Sequence, residues 1–90
     1  MELTGIPIRA PTVVSRVVDG EGVLVHPQQG IRVLNPTGAR VWELADGQRT
    51  VADLARAIAG EYDVGLERAQ ADVSAFCEDL LARGLFQLAD

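Results

Sequence analysis

A chain of 90 residues with 48% hydrophobic and 23% charged residues is long and apolar enough to bury one small core, which excludes an intrinsically disordered chain. Its single cysteine, Cys77, excludes an intramolecular disulfide and supplies no metal-ligand spacing, and neither a basic leader with an apolar run nor a span of membrane length is present, so a soluble cytoplasmic protein is expected. Net charge is −5 with no Lys, and residues 41–90 hold ten of the thirteen acids against four Arg, so the second half is acidic and a poor match for a nucleic-acid backbone.

Residues 1–11, with Gly5, Pro7 and Pro11, read as an irregular arm, and residues 12–90 as one domain. Val13 to Val18 is rich in β-branched residues, Asp19-Gly20 is a strong hairpin turn, and Gly22 to His26 supplies the return strand. Pro27-Gln28-Gln29-Gly30 makes a second turn, after which Ile31 to Leu34 forms a third strand antiparallel to the second. From Asn35 the apolar spacing becomes helical. Asn35 caps a first helix that has Pro36 in its first turn, carries Ala39, Val41, Trp42 and Leu44, and stops at Asp46-Gly47. Thr50 with Asp53 is a shorter-armed capping box for a second helix, whose Val51, Leu54, Ala55, Ile58 and Ala59 line one face. A third helix begins near Leu66 and carries the stripe Ala69, Val73, Phe76, Cys77, Leu80 and Leu81, with Gly84 as its left-handed cap. Leu85 to Leu88 adds a last extended segment. The fold class is therefore α+β, a three-stranded antiparallel sheet followed by three helices.

Little in the chain suits catalysis. His26 is the only histidine and sits at a strand end beside Pro27, which suits a turn role better than a general base that needs an orienting partner. Cys77 lies on an apolar stripe, where a free cysteine acts as a small hydrophobe. Gly20, Gly22 and Gly30 are turn glycines, and no phosphate-binding fingerprint is present. Glu67, Asp72, Glu78 and Asp79 read as a solvated acidic face, since no histidine accompanies them at metal-ligand spacing. Trp42, between Val41 and Leu44, reads as a core anchor. We expect no catalytic residue, metal or cofactor.

Three helices with flanking strands also fit a winged-helix DNA binder. Its third helix would carry Glu67, Arg68, Asp72, Glu78, Asp79 and Arg83, a net negative charge and the wrong footprint for DNA. The third strand is more informative. It is an edge, and natural edges are blunted by Lys, Pro or bulges, whereas this one has only Arg32. Beside the third helix, Ile31 or Val33 with Val73, Phe76, Cys77 and Leu80 would floor a groove for an added peptide strand. The same pattern fits a plain core whose edge is closed by the N-terminal arm or by a second subunit in a homodimer.

Several runs together resemble the PqqD family of pyrroloquinoline-quinone biosynthesis and the wider class of PqqD-like recognition elements for ribosomally made, modified peptides (RiPPs). They are Val23-Leu24-Val25-His26-Pro27 with Gly30, Leu34-Asn35-Pro36-Thr37-Gly38-Ala39, Leu44-Ala45-Asp46-Gly47-Gln48-Arg49-Thr50-Val51, and Asp72-Val73-Ser74-Ala75-Phe76 with Leu80 to Leu85. The resemblance implies a winged-helix-like fold without enzymatic activity. It implies that the leader segment of a precursor peptide pairs with the third strand and lies against the third helix. The core segment is then presented to a maturation enzyme, a radical SAM protein or a lasso-peptide protease and cyclase. Carried onto this chain, the pairing strand is Gly30, Ile31, Arg32, Val33 and Leu34, and the groove residues are Val73, Phe76, Cys77 and Leu80. Asp72 and Asp79 are expected to meet basic leader residues. The enzyme is expected at the acidic helical surface or at the Gln28-Gln29 turn, where quinone-pathway members tend to carry an acid.

Overall fold

The computed structural model describes residues 1–89. Five strands and three helices follow in the order β1 (Pro7–Arg9), β2 (Val14–Val18), β3 (Glu21–His26), β4 (Gly30–Leu34), α1 (Pro36–Leu44), α2 (Val51–Tyr62), α3 (Leu66–Ala82) and β5 (Phe86–Leu88). β2, β3 and β4 form an antiparallel meander. The fold is the expected α+β arrangement, with a second, smaller sheet added.

That small sheet corrects the reading of residues 1–11 as irregular. Pro7, Ile8 and Arg9 pair antiparallel with Leu88, Gln87 and Phe86. Pro7 can open the strand because the first residue of a strand need not donate to the ladder. Further back, the carbonyls of Gly5 and Leu3 accept from Val51 N (2.8 Å) and Ala52 N (3.0 Å). These are two of the N–H groups that the first turn of α2 leaves without helical partners. The arm therefore closes the small sheet and the start of α2, its Met1 amine reaches Ser74 and Glu78 of α3, and among the described residues it makes no hydrogen bond to β4.

Local chemistry sets the element ends. Asp19 and Gly20 both have positive φ, 51° and 81°, the pattern of a type I′ turn that joins β2 to β3 in two residues. The Asn35 side chain accepts from Gly38 N at 2.8 Å and caps α1. Thr50 Oγ1 accepts from Asp53 N while Asp53 Oδ2 accepts from Thr50 N, which completes the capping box of α2. Gly84 (φ +72°) ends α3, with Leu85 N donating to the Leu80 carbonyl and Gly84 N to that of Leu81. Gly47 has φ +81°, a conformation that strains any side chain, and a Cβ there would also press on Ile8, with Cδ1 at 2.8 Å.

The core lies between the inner face of the meander and the three helices. Leu24 and Leu34 meet Val41 and Trp42 of α1, Leu54 and Ile58 of α2, and Val73, Cys77 and Leu80 of α3. Trp42 stacks on Phe86 with ring centroids 5.3 Å apart, and Phe76 meets Phe86 edge-on at 6.2 Å. Trp42 is thus the core anchor that its flanking residues suggest.

Candidate functional site

The register shows which groups the β4 edge exposes. Val18 and Glu21 flank the two-residue turn and form a hydrogen-bonded pair, so the alternation of an antiparallel ladder makes Arg16–Val23 and Val14–Val25 hydrogen-bonded as well. Gly22, Leu24 and His26 then turn their backbone groups the other way, to Leu34, Arg32 and Gly30. This leaves the N–H and C=O of Ile31 and Val33 pointing out of the sheet, where the meander ends at β4. Among the described residues no strand pairs with that edge.

Side chains alternate in step. Leu34 turns inward and is buried, as is Leu24 on the neighbouring strand, whereas Ile31 and Val33 stand on the outer face, 72% and 62% exposed. Arg32, on the inner side, reaches across to α3: its Nη2 donates to Asp79 Oδ2 at 2.6 Å, and Arg83 Nε donates to Asp79 Oδ1 at 2.9 Å. Hydrogen bonds from Arg83 and then Arg32 hold the Asp79 carboxyl below its usual range. Two guanidinium groups on one carboxylate leave this junction with a net positive charge. Asp72 is exposed on the same flank of α3 and pairs with Arg68 at 3.6 Å.

The helical period separates the expected groove residues into two sets. Val73, Cys77 and Leu80 face the core and are buried, while Asp72, Phe76 and Asp79 lie on the flank toward α1 and β4. Cys77 and Leu80, expected in the groove, are fully buried and support it from beneath; in this form they present no surface to a ligand. Burial pushes the Cys77 thiol up to about 11. It is accordingly expected to stay unmodified by iodoacetamide at neutral pH in the folded protein and to react once denaturant is added, which mass spectrometry would show; fast labelling of native protein would contradict its placement.

A cavity of about 350 Å³ continues the groove past the end of β4. Thr37, Gly38 and Val41 of α1, Ile58 and Tyr62 of α2, and Val73 and Phe76 of α3 line it. The sequence reading did not place the α1 and α2 residues at the site. One sequence feature does point there: Gly38 lies inside a helix, where glycine is costly, and a Cβ at Gly38 would stand 3.1 Å from Phe76 Cε1. The glycine lets α1 approach Phe76 and so shapes the cavity mouth. His26 serves the turn, its Nδ1 accepting from the N–H groups of Gln28 and Gln29 at 3.0 Å each.

The model of the family described as coenzyme PQQ synthesis protein D, PqqD, matches residues 21–85, a span that includes β3, the open β4 edge and all of α3. The chain belongs to the PqqD family. Among solved structures, TbiB1 in complex with the TbiA(β) leader peptide is similar at 30% identity and a TM-score of 0.80, with 89% of this chain and 94% of that chain covered. The PqqD truncation of Methylobacterium extorquens PqqCD, a functional and stand-alone RiPP recognition element, shares the fold at a TM-score of 0.74 and 23% identity over 97% of this chain and 99% of that one. No curated protein matches. For a PqqD-family chain the DNA-binding reading loses its ground, since Arg68 of α3 and Arg83 at its C-terminal cap both stand in ion pairs with carboxylates of that helix.

Proposed function

We propose that this PqqD-family protein is a non-enzymatic, cytoplasmic peptide chaperone that binds the leader of a ribosomally made precursor as an added strand on β4 and holds it for a maturation enzyme. The observation that carries the reading is the open edge itself. Ile31 and Val33 present two N–H and two C=O groups beside a helix flank and a cavity, an arrangement that accepts an extended peptide without rearrangement of the sheet. Main-chain bonds to Ile31 and Val33 supply affinity. Leader side chains on the inner side meet Phe76 and the cavity, and those on the outer side lie next to Ile31 and Val33.

Gly30, Arg32 and Leu34 fix this strand against β3, and Val73, Cys77 and Leu80 hold α3 in place behind it. Asp79 takes a role other than the expected one. With both carboxylate oxygens occupied by Arg32 and Arg83, it leaves guanidinium nitrogens as the available charge, so the leader residue at this point is acidic and not basic. Asp72, which is more exposed, remains the place for a basic one. Tethering the precursor raises its concentration at the enzyme only if both are engaged together, so the enzyme needs a different face of the domain. A radical SAM protein or a lasso-peptide protease and cyclase would fill the enzyme's place.

The test is a titration of the ¹⁵N-labelled protein with the leader peptide of the precursor encoded beside it. Amide signals of Ile31, Val33, Phe76 and Asp79 are expected to move most. Absence of any shift at millimolar peptide, or shifts confined to the far side of α2, would overturn the reading.

A further inference from the structure

Gly38 is a glycine that the backbone does not require. Unlike Gly47 and Gly84 it has no positive φ, and it lies within the first turn of α1 with its N–H donated to the Asn35 cap, as any residue at that position could do. Glycine in a helix also forfeits the favourable propensity of alanine. The reason for it lies in its surroundings. A Cβ at Gly38 would stand 3.1 Å and 3.4 Å from Cε1 and Cζ of Phe76 and 3.2 Å from Asn35 Oδ1.

Gly22 makes the contrast. A Cβ there would stand 3.3 Å from the Cβ atoms of Ala39 and Leu34, both buried residues whose Cβ atoms are fixed to the backbones of α1 and β4. Neither can yield, so Gly22 is required for α1 to close on the sheet. The neighbour of Gly38 is instead the far end of an aromatic ring that is only half-buried and lines the cavity of about 350 Å³. Phe86 backs that ring edge-on and is itself fixed by stacking on Trp42. A ring pushed off α1 by a methyl group at position 38 therefore has the cavity as the space it can take. The fold can accept alanine at this position, whereas the open cavity cannot.

The geometry points to Gly38 as a specificity-determining position: without a side chain there, Phe76 rests on α1 and the cavity stays open to one bulky apolar side chain of the leader. This inference rests on the strand-addition reading, which supplies the occupant. Asn35 lines the cavity and directly follows Leu34 at the end of β4, so a peptide strand paired with Ile31 and Val33 arrives at the cavity mouth within one or two further residues, at about 3.3 Å each. Val41, Ile58, Val73 and Phe76 wall the cavity and favour an apolar guest. Its volume is at the lower end of ligand-pocket size and takes a large side chain. In an apolar pocket one methylene too many or too few changes affinity by roughly 10- to 200-fold, so a single methyl group at position 38 is enough to be read in binding.

The test compares wild-type protein with Gly38→Ala by calorimetric titration, using the leader peptide of the precursor encoded beside this gene and a set of its variants with alanine at each position in turn. For the wild type, alanine at one bulky apolar leader position is expected to cost about tenfold or more. Gly38→Ala is expected to melt within a few degrees of the wild type, to bind the unmodified leader about tenfold more weakly, and to bind the peptide with alanine at that one position as the wild type does. Such a split is a coupling between position 38 and one leader side chain, which a general loosening of the fold does not produce. In a Phe76→Leu background the cost of Gly38→Ala is expected to shrink, because no ring remains to be pushed into the cavity. Unchanged leader affinity in Gly38→Ala, an equal loss for every peptide of the set, a wild-type scan with no such position, or an undiminished cost beside Phe76→Leu would overturn the assignment. So would a large drop in melting temperature, which would show that the fold itself requires the glycine. Failure of the wild-type protein to bind leader would instead remove the strand-addition reading beneath it.

Discussion

Val33→Pro is expected to weaken leader binding by roughly 10- to 30-fold while the folded domain survives. The substitution deletes one edge N–H, worth about 1 kcal/mol as a hydrogen bond, and the ring disturbs the neighbouring pair by a similar amount, with each 1.4 kcal/mol or so equal to a factor of ten. The sheet tolerates it because the Val33 N–H points out of the meander, and proline is accepted on an edge strand with its nitrogen toward solvent. Arg32 precedes it in an extended conformation, which a following proline favours. The control is Arg32→Pro, one residue away. The Arg32 backbone bonds to Leu24, so this variant breaks a ladder bond inside the meander and removes the contact with Asp79. It is expected to lose thermal stability as well as binding. Calorimetric titration with leader peptide and thermal melts of both variants separate the effects. Equal loss of stability in the two would show that the register argument is wrong, and undiminished leader binding by folded Val33→Pro would rule out strand addition at β4.

The elements that the sequence made legible are those whose ends are fixed by neighbours in the chain. Asp19-Gly20, Asn35 with Pro36, Thr50 with Asp53, and Gly84 each act within four residues, and each stands in the structure where the local chemistry placed it. The β1–β5 sheet was not legible because it pairs Pro7 with Leu88, positions that nothing local connects, and because Pro7 and Pro11 read as breakers. The third helix shows a subtler limit. Its apolar stripe is plain in the sequence, but Phe76 and Cys77 differ by one residue, which turns one toward β4 and α1 and the other into the core. Periodicity gives the spacing of that stripe; only packing against β4 shows which flank is the groove. The ionic junction was hidden for the same reason. Asp79 and Arg83 are visible as an i,i+4 pair, while Arg32 reaches them from 47 residues away.

Trp42→Ala is expected to be the most damaging single change, at about 3–5 kcal/mol. Trp42 is the largest fully buried side chain and is 1% exposed, with Phe86 stacked on it at an interplanar angle of 10°. Among the described residues its indole Nε1 has no hydrogen-bond partner, so the ring stabilises the fold through apolar area and packing. A domain of this size has only about 5–15 kcal/mol of stability. At roughly 4–8 °C per kcal/mol, the alanine variant should melt about 15–30 °C lower. Trp42→Phe should lose far less, since it keeps a ring against Phe86. The consequence reaches the groove through one intermediate: Phe86 backs Phe76 edge-on, and Phe76 lines the cavity mouth. Any Trp42→Ala protein that remains folded in the cold should therefore also bind leader more weakly, although Trp42 itself lies in the core and does not line the cavity. Thermal melts followed by leader titration at 5 °C test both statements. A melting point within a few degrees of the wild type would show that the aromatic stack is dispensable, and native leader affinity in a folded alanine variant would separate Phe76 from the packing that is argued to hold it.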